Sequence, residues 1–239
     1  MTAEKLDNII ADVTQRIKAL RPKDGGIWRG ELSSSAISTS VSIFALQKID
    51  AAKYAEYIER GAEWLLSTMQ ADGSWGDTVE SPSNMTATLL SFASLYAVGK
   101  APDVTKQYII EHLGGIDDKT LVKGVLDYYG KDLTFSVPIL VMCALAGIIK
   151  DWDKIPQFPF ELTILPQRLF KFLQLPVVSY AIPALIAVGI VRFRRGKQNL
   201  LSPLRKLFIP KCLEVLTSLQ PHNGGFLEAA PLTAFVSMC

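Results

Sequence analysis

Carboxylates, histidines and cysteines are the side chains of this chain best able to do chemistry, and none stands at a spacing that makes a self-contained catalyst. Asp117-Asp118 and Asp151-Trp152-Asp153 bring acids together as a general acid and base would, yet both lie in polar stretches and read as surface turn residues. His112 and His222 have no cysteine or carboxylate partner at zinc-ligand spacing, so no metal is expected. No glycine-rich dinucleotide or phosphate loop occurs, and no cofactor is expected. Ser33-Ser34-Ser35 has no base placed by a motif and reads as a set of helix caps.

The more telling chemistry is that of an amide and an indole. Gln70-Ala71-Asp72-Gly73-Ser74-Trp75-Gly76 lies between two apolar helical stretches. A planar amide satisfies backbone polar groups while an indole covers apolar surface. Weaker copies stand on either side. Asp24-Gly25-Gly26-Ile27-Trp28 precedes it, and Gln220 with Asn223-Gly224-Gly225-Phe226 follows. Each copy leads into an apolar run bearing Ser or Thr. Trp28 and Trp75 are 47 residues apart and Trp75 and Phe226 are 151 apart. A unit of roughly 50 residues with a degenerate middle explains both gaps.

Helical periodicity supplies the elements that position these turns. Tyr54, Tyr57, Ile58, Gly61, Leu65 and Met69 return at three- and four-residue steps, predicting one inward face on which Gly61 admits a neighbouring helix. Glu56, Glu59, Arg60 and Glu63 take the wet side. Ser33 to Ser35 precede Ile37, Val41, Phe44 and Leu46, and both Ser81-Pro82 and Ser202-Pro203 carry the pattern of a Ser cap with Pro in the first turn. Gly99 and Gly114-Gly115 mark stops. The reading is all-α: residues 1–23 form an N-terminal helix, and residues 24–239 form helical hairpins that close into an α/α barrel, or toroid.

At 239 residues the chain is long enough to bury a large core without a staple. Cys143, Cys212 and Cys239 form no CxxC pair and read as reduced core residues of a cytosol-facing protein. The net charge of +2 hides an asymmetry. From Leu162 to Leu213 there are nine Lys/Arg and no Asp/Glu, so the rest of the chain carries −7. Such a block suits an anionic surface, and its threaded aliphatic residues favour lipid over nucleic acid. Leu204, Leu207, Phe208, Val215, Leu216 and Leu219 are expected to form one stripe. The twenty uncharged residues between Lys171 and Arg192 are interrupted by Pro176 and Pro183, and a bounded inner helix explains them better than a membrane span.

The corner Gly61, Gln70, Gly73, Trp75 resembles the Gln-Trp motif of the class II triterpene cyclases, the squalene-hopene and oxidosqualene cyclases. The likeness continues through Asn84 to Gly99, His112 to Ile116, Tyr128 to Gly130, and Asp151 to Pro166. The first copy departs by lacking a Gln at the proper distance, and the third has Phe226 where Trp is expected.

The resemblance implies proton-initiated cyclisation of squalene or a related polyprenyl, started by an aspartic acid in an Asp-x-Asp-Asp motif. It implies that Tyr180 lines the substrate cavity and that Pro231 lies beside its entrance. It also implies membrane contact through Arg192, Arg194, Arg195, Lys197, Leu204, Leu207 and Phe208, with the protein peripheral (monotopic) on the cytoplasmic side. The acid motif is absent from the chain. In the family it lies in a second barrel, so the chain reads as the N-terminal half of a longer protein, inactive alone and awaiting a C-terminal barrel or a partner chain. The alternative is a lipid-binding helical scaffold without catalysis.

Overall fold

The structure is a computed structural model that describes residues 2–23, 25–28, 32–130, 132–164, 181–227 and 229–239. It divides into two units, Met1–Ser33 and Ser34–Cys239. Among the described residues every regular element is helical, and strand-like pairing is limited to two isolated bridges, Ser35 with Thr78 and Gly76 with Ser83. The all-α reading holds.

The first unit carries α1 (Ala3–Ala19), capped by Thr2, whose hydroxyl accepts the Lys5 N–H at 3.4 Å. No residue of α1 is buried. Leu6, Ile10, Val13 and Ile17 lie along one side of it, all exposed.

The second unit holds α2 (Ala36–Asp50), α3 (Ala55–Ser67), α4 (Met85–Ala97), α5 (Asp103–Leu113), α6 (Asp118–Tyr129), α7 (Leu133–Leu145), α8 (Ile182–Arg195), α9 (Ser202–Ser218) and α10 (Ala230–Met238), with short 3-10 turns at Trp152–Lys154 and Phe160–Ile164. Helix α2 packs on α4, α4 on α7, α7 on α8, α8 on α10, and α10 returns to α2. These five helices make a closed inner ring. Helix α3 packs outside on α2, α5 and α6 outside on α4 and α7, and α9 outside on α8.

The two layers follow from hydrophobic pattern. The inner helices α4 and α7 are apolar all round: α7 buries every residue from Ser136 to Ala144, and α4 every residue from Ala87 to Leu95. A helix with that composition is stable only when surrounded. Outer helices bury one stripe each, Ile58, Ala62 and Leu65 on α3 and Thr105, Ile109 and Leu113 on α5. Each Leu or Ile so buried contributes about 1.5–3 kcal/mol. Ring closure is apolar too, since Ala234 and Met238 of α10 join Val41 and Phe44 of α2 in one cluster. The Gln47 amide adds a polar tie by donating to the Ala97 carbonyl at the end of α4, 2.7 Å away.

Local signals explain most boundaries. Ser35 caps α2, its hydroxyl accepting the Ser38 N–H at 3.2 Å. Gly99 and Gly114 end α4 and α5 with φ of +74° and +84°. Four expectations fail. Tyr57 is 62% exposed, because the inward stripe of α3 runs through Ile58, Ala62 and Leu65. No helix starts at Ser81-Pro82; α4 begins at Met85, where the Asn84 side chain accepts the Ala87 N–H at 2.8 Å. Ser202 opens α9 without capping it, and its hydroxyl is held by Asn199 instead. Cys143 and Cys212 are buried free thiols, but Cys239 is exposed. Burial pushes the Cys143 thiol up to about 12.

Candidate functional site

The corner around Trp75 is bonded to three helices. At the end of α3, the Trp75 indole N–H donates to the Leu65 carbonyl at 2.8 Å, and the ring is 1% exposed. At the start of α4, the Trp75 backbone N–H donates to the Thr88 hydroxyl at 3.1 Å, and the Asn84 N–H donates to the Trp75 carbonyl at 3.0 Å. At the start of α5, the Thr105 hydroxyl donates to the Gly73 carbonyl at 2.6 Å. The Gln70 amide donates across the loop to the Ser81 carbonyl at 3.1 Å. Asp72 shapes the turn by accepting the Ser74 N–H at 3.0 Å.

Two glycines make this approach possible. Gly73 has φ +85°, and a Cβ there would stand 2.8 Å from the Thr105 nitrogen. Only glycine takes that conformation without strain. On α3, a Cβ at Gly61 would stand 2.3 Å from Ile43 Cγ2 on α2.

The third corner repeats part of the pattern. The Gln220 amide donates to the Gly224 carbonyl at 2.9 Å, the Gly225 N–H donates to Asn223 Oδ1 at 3.1 Å, and the Phe226 N–H donates to the Thr233 hydroxyl at 2.9 Å. Phe226 is 4% exposed, but a phenyl ring has no N–H to reach the helix before it. In the first unit Trp28 is 51% exposed, and its indole donates to the Ile17 carbonyl at 2.7 Å with the Arg21 guanidinium 5.3 Å from its ring.

Thr88 and Thr233 are the partners that sequence reasoning did not single out. The signal was present, since each turn leads into a run bearing Ser or Thr. What the sequence does not state is which hydroxyl faces the aromatic residue.

Pro231 lies half-buried in the first turn of α10. Tyr180 lies outside the described residues, as do Arg168 and Lys171 of the basic block. Of the expected membrane-facing cations, Arg194, Arg195 and Lys197 are exposed at the end of α8. Arg192 is not one of them. It is buried, donates from Nε to the Ile155 carbonyl at 2.6 Å and faces Asp153 at 3.8 Å. Burial lowers its pKa, against the pull of Asp153 and Asp151. Leu204 and Leu207 are exposed, whereas Phe208, Val215 and Leu216 pack inward against the cluster of Phe160, Phe193, Ile209 and Cys212. The expected single stripe of α9 is therefore two faces, one docked on α8 and one outward. Arg205 joins the inner face, its guanidinium 5.0 Å and 5.1 Å from the Phe160 and Phe193 rings and 2.8 Å from Glu161.

The acid pairs serve the backbone. Asp117 caps α6; Asp118 accepts the N–H groups of Lys150 and Asp151 at 3.1 and 2.7 Å; Asp153 accepts the Lys197 N–H at 2.7 Å. No group of three or more His, Cys, Asp or Glu among the described residues is placed to hold a metal, and no described helix is long and apolar enough to cross a membrane.

Comparison with known proteins gives this arrangement its kin. A family model for the squalene-hopene cyclase N-terminal domain matches residues 10–121. The chain is similar to the squalene hopane cyclase of Aspergillus fumigatus, 26% identical over 147 residues, which cover 58% of this chain and 17% of that protein. It is also similar to the enfumafungin synthase of Hormonema carpetanum, 27% identical over 173 residues, covering 70% of this chain and 12% of that protein. The chain thus spans less than a fifth of the length of these relatives. No solved structure matches it significantly. The matched region contains the whole Gln70–Trp75 corner, the helices α3, α4 and α5 that it ties and α2 before them, so residues 10–121 are similar to the N-terminal domain of the squalene-hopene cyclases.

Proposed function

We propose that the chain is the N-terminal part of a triterpene cyclase that takes up squalene or a related polyprenyl and supplies one of the walls within which it is cyclised. The observation that carries this reading is the closed inner ring of α2, α4, α7, α8 and α10, locked at its corner by Trp75, in a chain whose residues 10–121 match the squalene-hopene cyclase N-terminal domain. Carbocation chemistry needs a dry enclosure, because water would quench the cation. The buried side chains of the second unit are apolar or hydroxylic, with Arg192 the single buried charge among the described residues. Aromatic faces lining such an enclosure attract a cation by about 0.5–2 kcal/mol each. Tyr180 and Pro231 are proposed to face the polyprenyl, on the family resemblance.

The initiating acid must be a carboxylic acid kept protonated by burial and neighbouring hydrogen bonds. The acid pairs of this chain are engaged by backbone N–H groups. We assign the acid to an Asp-x-Asp-Asp segment outside these residues, on a C-terminal barrel or a partner chain, so the 239-residue chain binds without turning over. In this reading the protein sits peripherally on the cytoplasmic face of a membrane and draws its insoluble hydrocarbon from it, which the exposed Arg194 and Arg195 of α8 and Leu204 and Leu207 of α9 support.

Incubating the chain with radiolabelled squalene in detergent micelles tests this. Retention of squalene on gel filtration with no cyclic product by mass spectrometry is expected. A cyclic product from the chain alone would overturn the assignment of the acid, and absence of retention would overturn the substrate class.

A further inference from the structure

A cleft of about 610 Å³ opens between the end of α8 and the middle of α9. Phe193, Ile209 and Pro210 form its apolar walls, and Arg194 and Lys206 bring cations to it, with Gln198 beside them. The Gln198 amide is held by the Phe193 and Gly196 carbonyls at 3.0 and 3.2 Å, which fixes the loop that follows α8.

The charges around this cleft fall into two sets. Arg192 and Lys197 face Asp153, Arg205 faces Glu161, and Lys211 faces Glu214. Arg194 and Lys206 have no carboxylate within ion-pairing distance among the described residues, and these are the two that line the cleft. Two unpaired cations over apolar walls form a receptor for a compact anion, and a phosphate accepts hydrogen bonds from guanidinium and ammonium together.

The surroundings state what the anion carries. Leu200 and Leu201 of the same loop are 99% and 63% exposed, and Leu204 and Leu207 of α9 are 54% and 74% exposed. A soluble phosphate ester has no use for exposed leucines beside its site. A phospholipid has a phosphate at the depth of the cations and acyl chains at the depth of the leucines.

We infer that the α8–α9 cleft binds the phosphate headgroup of an anionic phospholipid through Arg194 and Lys206. This rests on the peripheral-membrane reading and deepens it from a charged surface to a headgroup site.

Sedimentation of the full chain with vesicles of phosphatidylcholine, with and without phosphatidylglycerol, tests it. The wild type should bind the phosphatidylglycerol vesicles more tightly. The double variant Arg194→Gln/Lys206→Gln should lose roughly 30-fold of that binding, about fivefold per basic side chain. Lys119→Gln/Lys123→Gln, which removes the same charge from exposed positions on α6, should lose far less. Equal losses in the two double variants would overturn the headgroup site while leaving membrane attachment standing. If Leu204→Ala/Leu207→Ala also bound like wild type, or if the wild type ignored both vesicles, the membrane reading would fall and the site with it. Inorganic phosphate replacing chloride at constant ionic strength should compete for the cleft and weaken wild-type binding while leaving the Arg194→Gln/Lys206→Gln variant unaffected; equal weakening of the two would overturn the headgroup site. Circular dichroism of each variant confirms that the helices persist.

Discussion

Thr88 and Thr233 hold the same place in their helices: each is the fourth residue, and each hydroxyl accepts the backbone N–H of the aromatic residue in the preceding corner, Trp75 at 3.1 Å and Phe226 at 2.9 Å. The Thr88 hydroxyl also donates to the Asn84 carbonyl at 2.9 Å. One side chain therefore ties a corner to an inner helix and spares a buried N–H from going unpaired. Replacing Thr88 by Val keeps the shape and removes the acceptor, which should cost about 1–3 kcal/mol in urea unfolding. Thr88→Ser should recover most of that. A Val variant as stable as the wild type would show that the hydroxyl is not what holds the corner.

Trp75 combines packing with a hydrogen bond to Leu65. Trp75→Ala should destabilise by about 3–5 kcal/mol. Trp75→Phe keeps most of the ring and leaves the Leu65 carbonyl without this donor, so about 1–2 kcal/mol is expected. Calorimetry that found less than about 1 kcal/mol for the Ala variant would mean the indole does not join α3 to α4.

Gly61→Ala sets two effects against each other. Alanine improves helix propensity by about 1 kcal/mol, while its Cβ would meet the β-branched methyl of Ile43 at 2.3 Å. Overpacking of this kind costs about 1–3 kcal/mol, and a methyl fixed to a branched Cβ cannot swing away. A net loss near 1 kcal/mol is expected, reversing to a gain over Gly61 in an Ile43→Ala background. An additive cycle would rule out the contact.

Asp117 governs an acid-side dependence. Hydrogen bonds from the Thr120 side chain, and then from the Thr120 and Lys119 backbone, hold its carboxyl below the ordinary 3.8. Its folded pKa lies under the unfolded one, so its contribution is complete above the unfolded pKa and fades as pH falls through the folded value. The difference in thermal midpoint between wild type and Asp117→Asn should narrow between about pH 6 and pH 3. A gap that stays constant over that range would show that the charge at the cap is not stabilising α6.

The amino-acid order by itself determined that the chain is helical, where most helices stop, and that Gln70, Gly73 and Trp75 form a corner. Those properties are local: periodicity, caps and glycine conformations act over a few residues. It misjudged Tyr57 and the stripe of α9, because a face broad enough to be apolar does not announce which edge meets the neighbour. Only the tertiary structure decided that α10 closes on α2, that Thr88 and Thr233 face their aromatics, and that Arg192 is buried while Arg194, two residues on, is exposed. A helix turns about 100° per residue, so neighbours in one basic run point to opposite environments, and packing against Ile155 and Asp153 selected which cation went in.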